Sequence, residues 1–213
     1  MNIDILLSLC LKSFMAKKSK QQQPTPLAIL KELMIFRTAD AVKAGVSQPT
    51  LSRLAASGKI VRIEHGLYFH PKAAISGRDM DFAIACARFG PHAAIGGLTA
   101  LYRYGLIAEV PDRIWIVVSQ NVKTTSPLYR CLRTTNDLTI GIEEKRLYRI
   151  TTIERTILEA LRHAKKFGLS LSLNAARNAI KQGKTNETKL YAAATALNLR
   201  RILEKHWEAI VPA

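Results

Sequence analysis

Cysteine is nearly missing from this sequence. There are three in 213 residues, Cys10, Cys86 and Cys131, far apart and without a CxxC pair. That spacing offers neither a disulfide framework nor a zinc-ligand set. Reduced thiols of this kind fit a cytoplasmic protein. Long apolar runs are missing too. None reaches the roughly 18–20 residues that a membrane span needs, so no membrane partner is expected. Catalytic signatures are equally scarce: there is no HExxH, GxSxG, GxGxxG or phosphate-binding P-loop. His92, His163 and His206 stand apart from one another and from acidic clusters, so neither a metal nor a cofactor is expected.

Acidic residues are the most telling shortage. Sixteen Asp and Glu face 32 Lys and Arg, a net charge of +16. An excess of this size concerns partners rather than fold. Nucleic acid comes first, then an anionic membrane surface, then an acidic protein. The surplus runs the length of the chain: +3 in residues 1–23, +4 in 24–72 and +9 in 73–213. With 48% hydrophobic residues, the chain has the material for a core and reads as globular.

Residues 1–23 read as a basic, disordered arm carrying Lys17, Lys18 and Lys20 beside a glutamine run. ILLSLCL is too short to span a membrane, and the basic residues follow it rather than precede it, unlike a signal peptide. Met15 opens an alternative start, which leaves residues 1–14 as a translation-start artefact or a small docking helix. The mass of the native protein, measured by mass spectrometry, decides between the two.

From Pro24 the pattern becomes regular. LAILKELMIF (27–36) sets Leu27, Ile29, Leu30, Leu33 and Met34 mainly along one side of a helix. Thr38 is a good N-cap for a short second helix that Gly45 can end in the left-handed conformation. Ser47 caps a third helix with Pro49 in its first turn, Leu51 and Leu54 on its apolar side and Gly58 past its end. Two strands follow, Lys59–Glu64 and Leu67–His70, joined at His65-Gly66. Tyr68 and Phe69 are neighbours on one strand, so they face opposite ways and one belongs to the core. Three short helices and a hairpin make a winged helix-turn-helix spanning 24–72. In that motif the polar first turn of the third helix enters the DNA major groove.

Residues 73–213 have the pattern of a mixed α/β domain, a small sheet flanked by helices, so the chain as a whole is of the α+β class. Helices are predicted over Arg78–Phe89 and Gly96–Tyr104. RIWIVVS (113–119) is the clearest strand, with weaker ones at Leu128–Arg133, Leu138–Glu143 and Leu147–Ile150. Thr151-Thr152-Ile153-Glu154 is a capping-box pattern opening a long helix to Lys166. Helices close the chain.

The run Thr38-Ala39-Asp40, Gly45-Val46-Ser47, Leu51, Leu54, Gly58, Ile60, Arg62-Ile63 and Gly66-Leu67-Tyr68 resembles the N-terminal domain of AbiEi-family antitoxins. These are the antitoxin halves of type IV (abortive infection AbiE) toxin–antitoxin systems. GGLTALYRYGL (96–106) and TIERTILEAL (152–161) resemble blocks of that family's second domain, with Glu159 where an Asp is usual. The resemblance spans roughly residues 27–165. It implies a repressor that binds its own promoter, with inverted repeats occupied by a homodimer or cooperatively. It also implies a second domain that counteracts a cognate nucleotidyltransferase-like toxin.

On the third helix Gln48 can pair with adenine and Arg53 with guanine, with Thr50 and Ser52 between them. Ser47 serves as a cap and can touch phosphate. Lys59, Arg62 and His65, on or beside the wing, are candidates for phosphate contact, as are Thr38 and Lys43. Arg62 alternates with Val61 and Ile63 and so is expected to point away from the core. A competing reading is a metal-dependent restriction-type nuclease, with Asp112 and Glu143 holding Mg²⁺ and Lys145 positioning water.

Overall fold

The computed structural model of the chain describes residues 24–72 and 77–211. The 1–23 arm, Cys10 and the alternative start lie outside the described residues. What is described is a mixed α+β structure with two separate sheets, one of three strands and one of five.

Helix α1, Pro26–Leu33, opens on Thr25, whose hydroxyl accepts the N–H of Ala28 at 3.3 Å. It ends earlier than its apolar spacing suggests. Met34 turns out at φ 57°, and Ile35–Arg37 continues as strand β1. The reason is tertiary. β1 pairs antiparallel with a later strand and thereby buries Phe36, whose ring stacks on Tyr68 at 6.0 Å. Helix α2 is Thr38–Lys43. Its cap is Arg37 rather than Thr38, and the Asp40 carboxylate accepts the Arg37 N–H at 3.0 Å. Gly45, at φ 90°, turns the chain into helix α3, Gln48–Ala56. Strands β2, Val61–Glu64, and β3, Leu67–Phe69, complete the first sheet in the order β1-β3-β2. Tyr68 is the core member of the Tyr68–Phe69 pair and Phe69 is half-buried. Leu30, Phe36, Ala41, Val46, Leu51, Ile60 and Tyr68 form one apolar cluster, drawn entirely from this stretch.

Beyond residue 76 run α4 (Gly77–Phe89), β4 (Ala94–Ile95), α5 (Gly97–Arg103), β5 (Ile114–Ser119), β6 (Tyr129–Thr134), β7 (Ile142–Glu144) and β8 (Arg149–Thr151). Helices α6 (Ile153–Arg162), α7 (Ala164–Phe167), α8 (Leu169–Lys181), α9 (Glu187–Ala196) and α10 (Arg200–Ile210) follow. The second sheet has the order β6-β5-β4-β8-β7. Alternation along β5 supplies two cores. Ile116 and Val118 join Phe82, Ala85, Ile95 and Ile150 on the α4 side, while Val117 joins Leu132 and the helices from α6 onward. Ala94–Ile95 is a strand too short for its periodicity to show in the sequence.

Gly96 and Gly97 sit where helix α5 presses on this sheet. A Cβ at Gly96 would stand 2.4 Å from Val117 Cγ2, and one at Gly97 would stand 2.8 Å from Leu132 Cδ1. Gly97 also has φ 52°, which favours glycine. The glycine pair of the GGLTALYRYGL block is therefore a close-packing device.

The TIERTILEAL block is also structural. Thr152 caps α6 by accepting the Arg155 N–H at 3.3 Å. The glutamate arm of the expected capping box does not form; Glu154 instead accepts the Thr185 hydroxyl at 2.8 Å. Arg155 is fully buried. Its Nε donates to Glu159 at 2.9 Å, and its Nη1 donates to the carbonyls of Asp137, at 3.0 Å, and Ile140. These bonds hold residues 137–140 as a turn. The strand expected over 138–143 is consequently reduced to β7. Burial pushes the Glu159 carboxyl up, and the charge of Arg155 pulls it back. The helix stops at Arg162 instead of Lys166, and α7 restarts after His163. Cys86 and Cys131 are free thiols. Among the described residues no helix is long and apolar enough to cross a membrane.

Replacing Arg155 with Met would leave Glu159 and two carbonyls buried without their donor. Breaking a buried pair in this way costs about 3–5 kcal/mol. Urea denaturation should show that loss, and Arg155→Met/Glu159→Leu should recover only part of it, because the carbonyls stay orphaned.

Candidate nucleic-acid interface

Helix α3 is two-faced because only one side finds apolar partners. Leu51 is fully buried beside Val46 and Ile60, and Leu54 and Ala55 pack against the same cluster. Gln48, Pro49, Ser52, Arg53 and Ala56 are exposed. At 100° per residue they span an arc of about 140°. Thr50 lies at the edge of that arc, half-buried. Its hydroxyl is 2.9 Å from Ser47 Oγ and accepts Arg53 Nη2 at 3.3 Å. Ser47 stands at the N-cap position, but its hydroxyl turns to Thr50 instead of capping the helix. Ser47, Thr50 and Arg53 thus form one polar chain along the outer side of the helix start. Among the described residues, no hydrogen bond or ion pair links the side chains of Ser47, Gln48, Thr50, Ser52 or Arg53 to anything beyond residue 72.

The hairpin carries the second group. Gly66, at φ 76°, makes its turn. Arg62 Nη2 lies 2.8 Å from His65 Nδ1, and Arg62 Nε donates to the Glu64 carbonyl at 3.3 Å. Arg62 is exposed, as expected, but so is Val61 beside it. The pairing register shifts between Arg62 and Glu64, which breaks the simple alternation read from the sequence. Lys59 is exposed between α3 and β2, and Lys43 is exposed at the end of α2. Thr38 is only half-exposed. Its N–H reaches the Gly66 carbonyl at 2.9 Å, so it fastens α2 to the hairpin turn.

Three basic residues that the sequence reading did not single out gather near Lys59. Lys31, His70 and Lys72 line, with Lys59, a hollow of about 540 Å³ walled by Leu27, Gly58 and Pro71 and containing no acidic residue. Lys31 lies on the polar side of α1 and Lys72 lies 41 positions later, so no local spacing reports their convergence. His70 is 4% exposed, and its Nδ1 accepts the Lys72 N–H at 3.2 Å. Burial, then Lys31 and Lys72, hold its pKa below the usual histidine value.

Glu64 joins the hairpin to the second half of the chain. Its carboxylate meets Arg88 at 2.8 Å, each side chain about one-third exposed, and the Arg88 guanidinium lies 5.3 Å from the centre of the Tyr129 ring. Between them opens a cleft of about 580 Å³, also lined by Ile63, Phe82 and Asp112.

The nuclease carboxylates do not converge. Glu143 is paired through Ile150 and Ile95 to Ile116, three strands across. Strand spacing puts that at about 14 Å, and Asp112 is another four residues, roughly 13 Å, along the chain from Ile116. Asp112 contacts Arg113 at 3.4 Å, and Glu143 contacts Lys145 at 2.6 Å. Among the described residues no group of three potential metal ligands comes together.

Helix α3 is thus held by its apolar side, with its polar side open to solvent beside a basic hairpin. Residues 27–69 match the family described as "Transcriptional regulator, AbiEi antitoxin", so this segment is that of an AbiEi-family antitoxin regulator. The match ends at residue 69; the blocks at 96–106 and 152–161 lie outside it. Among solved structures, the chain is similar to the RV2827C protein from Mycobacterium tuberculosis. The two are 14% identical with a TM-score of 0.49, over 79% of this chain and 72% of that one. No curated protein matches the chain.

A double-mutant cycle on Glu64→Ala and Arg88→Ala, read by thermal or urea unfolding, should give a coupling of about 1 kcal/mol or less, because solvent screens a pair this exposed.

Proposed function

We propose that residues 24–72 are a winged helix-turn-helix and that α3 is its recognition helix, laid in the major groove of the protein's own promoter. The supporting observation is the exposed polar arc of α3 over a fully buried Leu51, inside the segment that matches the regulator family. Gln48 and Arg53 read base edges, Thr50 and Ser52 lie between them, and Ser47 steadies Thr50. Lys59, Arg62, His65 and Lys43 meet phosphates, with Thr38 at the margin of that contact. Arg62 and His65 already share a hydrogen bond, so a phosphate contact there would recruit both.

Residues 73–213 form the partner domain in this reading, and the N-terminal arm precedes the two. The protein acts in the cytoplasm as a repressor and antitoxin, without an enzymatic activity of its own. It occupies inverted repeats as a homodimer or cooperatively, and it counteracts a nucleotidyltransferase-like toxin. Such a toxin gene next to this one, and rescue of its toxicity on co-expression, tests the antitoxin half.

The DNA half is tested by gel shift and salt titration on the promoter. Arg53→Ala should erase preference for the promoter over a scrambled duplex, since one good bidentate contact carries about 1–3 kcal/mol of discrimination. Lys59→Ala should weaken both duplexes alike and lower the salt slope by about one. If neither substitution changes binding, α3 is not the reading helix.

A further inference from the structure

Lys31, Lys59 and Lys72 bring three positive charges to one hollow, and none of them has an ion-pair partner among the described residues. Like charges gathered in this way repel one another, and an anion between them removes the repulsion. His70 adds a neutral donor. Because its Nδ1 accepts the Lys72 N–H, the ring proton of the neutral form belongs on Nε2, where it can be given to an oxyanion. Three ammonium groups and an imidazole N–H suit a tetrahedral oxyanion rich in acceptors. A flat carboxylate would leave some of these donors unused. The walls, Leu27 and Pro71 with the lysine stems, offer no competing acceptor side chain beyond the Thr25 hydroxyl, which already accepts the Ala28 N–H.

We infer that this hollow is a phosphate site, formed by Lys31, Lys59, His70 and Lys72, that holds one backbone phosphate of the bound duplex outside the groove read by α3. The assignment to a duplex rests on the proposed function; the affinity for phosphate does not. Lys59 links the two, because it lies three residues past Ala56, the last residue of α3, and its N–H bonds to the Leu54 carbonyl at 3.0 Å, so it carries the hollow up to the reading helix. The phosphate there contributes affinity and register and reads no base.

The test uses the full chain and two probes. Inorganic pyrophosphate at low millimolar concentration should raise the unfolding temperature above that in chloride of equal ionic strength. It should also shift the amide NMR signals of residues 31, 58, 59 and 72. Lys31→Gln/Lys72→Gln, changes at two exposed positions, should lose both effects while unfolding normally in chloride. Promoter DNA is the second probe. The double variant should lower the slope of log affinity against log salt by about 0.9, the share of one phosphate. It should leave the ratio of promoter to scrambled-duplex affinity unchanged. Pyrophosphate that acts equally on wild type and variant overturns the phosphate site. A pyrophosphate effect confined to wild type, with an unchanged DNA salt slope, overturns the duplex assignment and leaves a site for a free phosphate compound. If wild type binds no duplex at all, the proposed function fails, and the pyrophosphate arm still decides the hollow.

Discussion

Residues 24–72 depend on the burial of one side of a nine-residue helix. Leu51 has no exposed surface, and around it meet residues from every neighbouring element: Leu30 from α1, Phe36 from β1, Ala41 from α2 and Ile60 from the approach to β2. Burying a leucine fully contributes about 1.5–3 kcal/mol. It also fixes the rotation of the helix about its axis. Once Leu51 and Leu54 face inward, Gln48, Ser52 and Arg53 must face outward. Where the helix sits and which side chains it offers to solvent are therefore settled by the same contacts.

In the second half the comparable constraint is a buried cation. Arg155 spends its guanidinium on Glu159 and on two carbonyls of a turn, and so ties α6 to the approach to β7. A buried charge is retained only where its hydrogen bonds are supplied, and here most are. The block that resembles a family's second domain thus owes its residue types to packing: Arg155 and Thr156 bond inward, and Gly96 and Gly97 let a helix approach a sheet.

The hairpin is held from both sides. Thr38 fastens its turn to α2, and Glu64 reaches Arg88 on α4. In the proposed function this makes the sheet domain a support for the wing, so its placement on the duplex depends on residues well outside the reading helix. In the same reading the cations of residues 24–72 are shared among a base-reading helix, a hairpin and a separate hollow, each contributing a different part of recognition: discrimination, orientation and affinity.

By itself the sequence determined the local features. Helical spacing with Pro49, and the glycines at 45, 58 and 66, placed α3 and the hairpin turn, because these depend on backbone conformations that few residues adopt. The outward set on α3 was legible for the same reason: a 3.6-residue period divides a helix without reference to the rest of the chain. Only the tertiary structure decided what depends on a distant partner. β1 exists because β3 offers it an edge, and the turn at 137–140 exists because Arg155 reaches it. The gathering of Lys31, Lys59, His70 and Lys72 also joins positions that no short-range pattern connects. The difference is physical. Caps, turns and helix faces are settled within a few residues, whereas strand pairing, buried ion pairs and charge clusters depend on where the chain returns.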